Sequence, residues 1–225
     1  MGQRARKHED KLARREAILA VAAGALGRRQ YASVTMAEIA EQCGLAKGTL
    51  YLYFDSKEEL FLATLELELS AWFEHLATRM LAAGRMSARG FAELVARSLG
   101  EHETLADLLP LLHTVLEQNI RLEAALRFKL MLRDRVVAGG ALVEQVVERM
   151  RDGDGVRVLL RTHALVVGLR QMADPPPQLR ELLGREELAV LHIDFETELA
   201  DTLTALVEGM QHPLPANHSP ARART

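Results

Sequence analysis

The chain has 225 residues, of which 48% are hydrophobic and 26% charged, and a formal net charge of −3; this is the balance of a soluble globule with length for one or two domains. No apolar run approaches the ~18 residues of a membrane span, and Met1 to Asp10 are charged with no apolar stretch behind them, so neither a span nor a secretory signal is expected. A single cysteine, Cys43, excludes an internal disulfide framework and most cysteine-based metal sites, and fits a reducing cytoplasm.

Leu, Ala, Glu and Arg dominate, and helical spacing runs nearly throughout. The basic segment Arg4–Arg15 leads into a first helix with Leu12, Ile18, Leu19, Ala22 and Leu26 on its apolar face, ending near Gly27. Thr35-Met36-Ala37-Glu38 has the form of a capping box and opens a second helix, which Cys43-Gly44 ends. A third helix is expected from about Leu45 to Tyr53. Ser56-Lys57-Glu58-Glu59, a second capping-box pattern, opens a long fourth helix towards Met80. Gly84 and Ser87 mark a break before a helix with Phe91, Leu94, Val95 and Leu99, and Pro110 should stop or kink the next one. A long helix is expected from about Asn119 to Met150, a turn at Asp152–Gly155, and a helix over Val156–Met172. Asp174-Pro175-Pro176-Pro177 reads as a stiff linker, Glu186–Met210 as the last helix, and the proline-containing tail from His212 as disordered.

The segment from Thr35 to Phe61 carries the clearest chemistry. Two short helices joined by a Gly-containing turn are the layout of a helix-turn-helix, whose second helix enters the major groove of DNA. Ile39, Ala40, Leu45, Leu50 and Phe54 are spaced to form its small core. Lys47, Gly48, Thr49, Tyr51 and Tyr53 remain to face outward: a lysine for a guanine edge or a phosphate, a glycine for close backbone approach, and hydroxyls for phosphates. Lys57 sits in the first helical turn, where the macrodipole disfavours a cation and a bound phosphate would relieve the conflict. The charge is split to match. Residues 1–57 hold 10 Lys/Arg against 6 Asp/Glu, and residues 58–225 hold 18 against 25, which places a polyanion partner at the N-terminal end.

The stretch from Thr35 to Leu60 (TMAEIAEQCGLAKGTLYLYFDSKEEL) resembles the DNA-binding domain of the TetR/AcrR family of transcriptional regulators. The resemblance covers roughly residues 10–65. It implies an all-α homodimer with an N-terminal three-helix DNA-binding domain and a larger C-terminal helical domain for ligand binding and dimerisation. It also implies operator contacts from Thr35, Lys47, Thr49, Tyr51, Tyr53 and Lys57. Gln30 stands where many relatives have Gly, and Cys43 where Ala is common. Domain bounds of 1–57, 58–211 and a tail at 212–225 follow.

In the C-terminal half, the fourth helix is apolar almost all round, so it must be buried on several sides, and it starts directly after the DNA-reading unit. A pocket is expected among Trp72, Phe73, Phe91, Leu112, His113, Leu116, Phe128 and Met131. His75, Glu117, Asn119, Arg121 and His163 are polar handles, and a small apolar or amphipathic ligand is the default occupant. Core packing is the competing role for each of these residues. Residues 156–172 and 188–207 are apolar on more than one face and are expected to form the dimer interface. The whole then reads as a cytoplasmic repressor on a palindromic operator, without cofactor or metal. An enzyme is the competing class, but no Gly-rich phosphate loop, His-Glu-x-x-His or nucleophile elbow is present. Two weaker readings are redox sensing through Cys43 and a helical interaction protein that no longer binds DNA.

Overall fold

The computed structural model describes residues 2–26 and 30–212. Among these every regular element is helical, and the one β pairing is an isolated bridge between Met86 and Val147. The first helix, α1 (Gly2–Leu26), takes in the basic segment expected to precede it and buries Ile18, Leu19, Ala22 and Leu26, while Leu12 stays exposed. Its expected stop at Gly27 lies outside the described residues. After a 3-10 turn at Tyr31–Ser33, Thr35 caps α2 (Met36–Gln42). The reciprocal box is complete: Glu38 N–H donates to Thr35 Oγ1 at 3.3 Å and Thr35 N–H to Glu38 Oε2 at 2.9 Å. Gly44 supplies the left-handed backbone (φ +65°) that ends the helix.

The third helix, α3 (Lys47–Leu50), is shorter than the expected Leu45–Tyr53. The chain continues through hydrogen-bonded turns to Phe54, whose N–H reaches Leu50 O at 3.2 Å. Then α4 (Lys57–Ala83) runs unbroken for 27 residues. Only half of its expected capping box forms. Ser56 Oγ accepts from Glu59 N–H at 3.0 Å, but the Glu59 carboxylate turns to Asp55 N–H at 3.2 Å.

The C-terminal half contains α5 (Ala88–Gly100), α6 (Glu103–Leu108), α7 (Leu122–Val146), α8 (Asp154–Ala173), α9 (Pro177–Leu183) and α10 (Phe195–Gln211). At Pro110 the helix tightens into a 3-10 turn, Leu109–Leu111, and then widens into a π turn, Leu112–Leu116. The expected helix Asn119–Met150 starts only at Leu122, after an extended Arg121, and ends at Val146, because Met86 exchanges backbone hydrogen bonds with Val146 O and Glu148 N–H and pulls the chain extended. The expected continuous helix Glu186–Met210 is two pieces: a 3-10 segment at Glu186–Leu191, and α10, capped by Asp194 through Thr197 N–H at 2.9 Å. From residue 213 the tail lies outside the described residues.

Leu199, Leu203 and Val207 are buried on α10, which packs against α5 and α8. That apolar stripe is thereby satisfied within the chain. In contrast, α8 leaves Leu160, Ala164, Gly168 and Met172 outside the core along one side. The crossing of α7 and α8 depends on two glycines: a Cβ on Gly155 would lie 2.0 Å from the Gly140 carbonyl oxygen. Such contact without side chains lets the helices meet backbone to backbone and fixes where α7 and α8 diverge around a cavity in this half of the molecule.

Candidate nucleic-acid interface and ligand cavity

The N-terminal unit places a compact polar face over a small core. Ile39, Ala40, Leu50 and Phe54 are buried and Leu45 partly so, which holds α2 and α3 in a fixed relation. On the outside Thr35, Lys47, Gly48 and Tyr51 are exposed, with Thr49 and Tyr53 half-buried at the margin. Thr35 has a second role here, since its hydroxyl also donates to Glu38 Oε2 at 2.9 Å. Basic residues of α1 brace the unit from behind: the Lys11 ammonium lies 5.9 Å from the Tyr53 ring centre and the Arg15 guanidinium 5.1 Å from that of Phe54. Gly48 is open, with no atom within 4 Å of where a Cβ would stand.

Lys57 is not a solvated lysine. Its ammonium donates to the Tyr31 carbonyl and sits 3.9 Å from the Tyr31 ring centre. Burial pushes its pKa down, opposed by the Glu58 and Glu38 carboxylates. Sequence reasoning passes over Leu52, yet this residue is 78% exposed between the two tyrosines. An apolar residue at a position that must face outward is the available signal. At the end of α2, burial raises the Cys43 thiol's pKa, which disfavours the thiolate that redox chemistry needs.

A second site lies in the C-terminal half. A cavity of about 250 Å³ opens where α4, α7, α8 and the Leu109–His113 turn diverge. The α4 residues Leu69, Trp72 and Phe73 form one wall. Lys129, Leu132 and Val136 of α7 form another, and Leu159, Thr162, His163 and Val166 of α8 a third. Of the expected lining residues, Trp72, Phe73, Leu112, His113 and His163 are there. Phe91, Leu116, Phe128 and Met131 are not: Phe91, Leu116 and Phe128 are buried in the core, and Met131 is partly buried against it. On α7 the lining positions 129, 132 and 136 define one stripe, and Phe128 and Met131 lie to one side of it, roughly 70° and 130° round the helix from its centre.

Most polar groups of the cavity are already satisfied. Trp72 Nε1–H donates to Ser98 Oγ at 3.0 Å and Thr162 Oγ1–H to Val158 O at 2.9 Å. Glu117 does not line the cavity, but its carboxylate accepts from His113 Nδ1 at 3.0 Å and pairs through its other oxygen with the Lys129 ammonium. These two partners hold the Glu117 pKa down against the opposing effect of its own burial. His113 Nε2 faces His163 Nε2 at 3.4 Å. Burial, with His113 and Lys129 nearby, lowers the His163 pKa, and Glu117 acts in the other direction.

The remaining handles sit elsewhere. His75 lies against Glu101, 3.4 Å away. Asn119 and Arg121 reach the junction between the two halves: Ser56 Oγ–H donates to Asn119 O at 3.0 Å, and Arg121 pairs with Asp55 at 3.0 Å and with the buried Glu59 at 2.9 Å. This clamp, with Asp55 and Glu59 on one side and Arg121 on the other, joins residues that no sequence pattern connects. Among the described residues no cluster of three or more His, Cys, Asp or Glu is placed to hold a metal, and no helix is long and apolar enough to cross a membrane.

Comparison with known proteins bears on both halves. Residues 18–64 match the family "Bacterial regulatory proteins, tetR family", and residues 66–213 match "Tetracyclin repressor-like, C-terminal domain". An uncharacterized HTH-type transcriptional regulator of Bacillus subtilis, YerO, is 38% identical over 53 residues; the match covers 24% of this chain and 18% of that protein. Among solved structures, the fatty acid degradation regulator FadR of Bacillus halodurans aligns with 14% identity and a TM-score of 0.50, covering 84% of this chain and 97% of its own. FadR of Bacillus subtilis, solved with stearoyl-CoA, aligns with 16% identity and a TM-score of 0.50, covering 84% and 96%. At these identities the two structures share the fold with this chain.

Proposed function

This chain belongs to the TetR family of transcriptional regulators, and on that premise we propose that it is a homodimeric repressor released from a palindromic operator by a small, mainly apolar effector. The observation that carries this reading is the continuity of α4. One helix begins at Lys57, beside the polar face, and forms a cavity wall at Leu69, Trp72 and Phe73. Fifteen residues separate Lys57 from Trp72, about 22 Å along a rigid rod.

In this reading Thr35, Lys47, Gly48, Thr49, Tyr51, Tyr53 and Lys57 meet DNA, with Lys47 at a base edge or phosphate and the hydroxyls at phosphates. Lys57 must share its charge between a phosphate and the Tyr31 ring. Two recognition helices in a dimer need a separation of about 34–36 Å to enter successive major grooves. An effector that prefers a different separation lowers operator affinity by that difference in preference and by nothing else. The clamp gives it a second route to the heads. The segment carrying His113 continues through Glu117 to Asn119 and Arg121, which hold Ser56, Asp55 and Glu59. The outer side of α8, around Leu160, Ala164 and Gly168, with the exposed Val190 and Leu191, is the proposed dimer surface within 156–172 and 188–207.

The test is binding of the purified protein to the DNA flanking its own gene across a salt series, with the mass of the free protein measured in parallel. The expected result is a dimer whose affinity falls steeply with salt as phosphate contacts release counterions. A monomer that ignores this DNA and every other duplex at low ionic strength overturns the proposal.

A further inference from the structure

The polar end of the cavity has a definite hydrogen-bonding sense. Ionised Glu117 can only accept, so His113 Nδ1 carries a hydrogen in the pair at 3.0 Å. In a neutral imidazole the other nitrogen is then bare. With both imidazoles neutral, His113 Nε2 is then an acceptor, and the His163 nitrogen facing it at 3.4 Å, Nε2, is the donor. That leaves His163 Nδ1 without a hydrogen and, among the described residues, without a protein partner. Trp72 and Thr162 have spent their donors within the protein, and Lys129 is held in an ion pair with Glu117. The relay thus adds a hydrogen-bond acceptor, His163 Nδ1, to a wall that is mostly apolar.

A carboxylate suits such an end poorly. It brings a second negative charge beside Glu117 and has no hydrogen to give. Protonation of His163 would be needed to receive it, and burial together with the nearby Lys129 ammonium opposes that charge. A neutral hydroxyl donates to the bare nitrogen and moves no net charge. Size narrows the class further. A dry cavity of about 150 Å³ accommodates benzene, six carbons, and this one measures about 250 Å³. Trp72 and Phe73, packed edge to face at 4.9 Å, offer aromatic contact along one wall.

We propose that this cavity takes a neutral phenol-like compound of about ten non-hydrogen atoms, bound with its ring among Leu69, Trp72, Phe73 and Val136 and its hydroxyl donating to His163 Nδ1. The identification rests on reading the cavity as the effector site. His163 touches the ligand; His113 and Glu117 position it by fixing its tautomer.

Three naphthalene probes, the first two matched in shape, test it on the full-length protein by calorimetry: 2-naphthol, 2-methylnaphthalene and 2-naphthoate. The expected order has 2-naphthol about five- to tenfold tighter than 2-methylnaphthalene, the worth of one net hydrogen bond, with 2-naphthoate weakest. In His163→Leu the first two become equal while 2-methylnaphthalene keeps its wild-type affinity, which shows that the cavity has survived. Nitrogen-15 spectra of the wild type should show His163 as the Nε2–H tautomer, with Nδ1 shifting on addition of 2-naphthol. Equal binding of all three probes, tightest binding by 2-naphthoate, no binding by any, or a 2-naphthol preference that survives His163→Leu each overturn the assignment. Release of operator DNA is measured separately. Binding of 2-naphthol in the expected order without release leaves the ligand class standing and refutes the effector role of the cavity.

Discussion

At Gly48 the protein leaves open space, since an added methyl group would meet no atom within 4 Å. Gly inside a helix costs about 1 kcal/mol against Ala, so Gly48→Ala is expected to raise stability by up to that amount in chemical denaturation. If the DNA backbone occupies the space, the same variant should lose at least tenfold in operator affinity by fluorescence anisotropy. A variant that is more stable and equally tight would place the DNA on another face. The lysines divide differently. Lys47→Ala is expected to relax sequence preference if it reaches a base, whereas Lys57→Ala should weaken all duplexes alike and also loosen the Tyr31 turn that its ammonium holds. Thermal melting separates that second effect from the first. At this scale the sequence is most readable where chemistry is local. The Thr35–Glu38 box spans four residues and forms as its pattern implies. The Ser56–Glu59 box does not close, because Glu59 is held by Arg121, 62 positions away, and by Asp55 N–H. No local pattern carries that information.

Between elements, position depends on close contacts that hydrophobic spacing does not encode. Gly155 approaches the Gly140 backbone so tightly that a Cβ would stand 2.0 Å from its carbonyl oxygen. Gly155→Ala must therefore push α7 and α8 apart, at an expected cost of about 2–3 kcal/mol in unfolding free energy, and should blunt binding of any ligand in the cavity between them. This crossing also explains why the lining is only partly readable. Spacing marks α4 as apolar and names Phe128 and Met131 of α7 as lining candidates, but the α7–α8 angle decides that Lys129, Leu132 and Val136 face the cavity while Phe128 fills the core. The break at His192–Asp194 is hidden for a related reason, since apolar residues at Leu188, Leu191, Phe195 and Leu199 continue across it at helical spacing. The clamp yields a sharper prediction. Arg121→Ala frees Asp55 and Glu59 from the cavity side of the molecule, leaving α4, the Ser56–Asn119 hydrogen bond and the packing of α1 on α6 as the connections. DNA binding without effector should persist, while the effector concentration needed for release should rise. A titration of preformed complex measures this, and an unchanged midpoint would assign the clamp to stability alone.

For the proposed dimer as a whole, charge and symmetry must agree. The N-terminal 57 residues carry an excess of positive charge and the remainder an excess of negative charge, so only one end of each subunit is drawn to DNA and the rest is repelled. Each small head alone offers few contacts; a dimer turns the second contact into an intramolecular event with a high effective concentration. The outer side of α8 is suited to hold two subunits, because Ala164 and Gly168 are small and lie outside the core, Leu160 is 55% exposed beside them, and nothing lies within 4 Å of a Cβ on Gly168. The neighbouring segment adds Val190, 89% exposed, and Leu191. The double variant Ala164→Glu with Gly168→Glu tests this surface without threatening the subunit fold. Both positions face away from the core, and replacing Gly by Glu raises helix propensity by roughly 0.5 kcal/mol or more. Sedimentation should report a monomer whose helix content by circular dichroism is unchanged, with operator affinity lowered by more than tenfold. Retention of the dimer would move the interface elsewhere, and a monomer with full affinity would mean that DNA is read by single heads and not by a spaced pair.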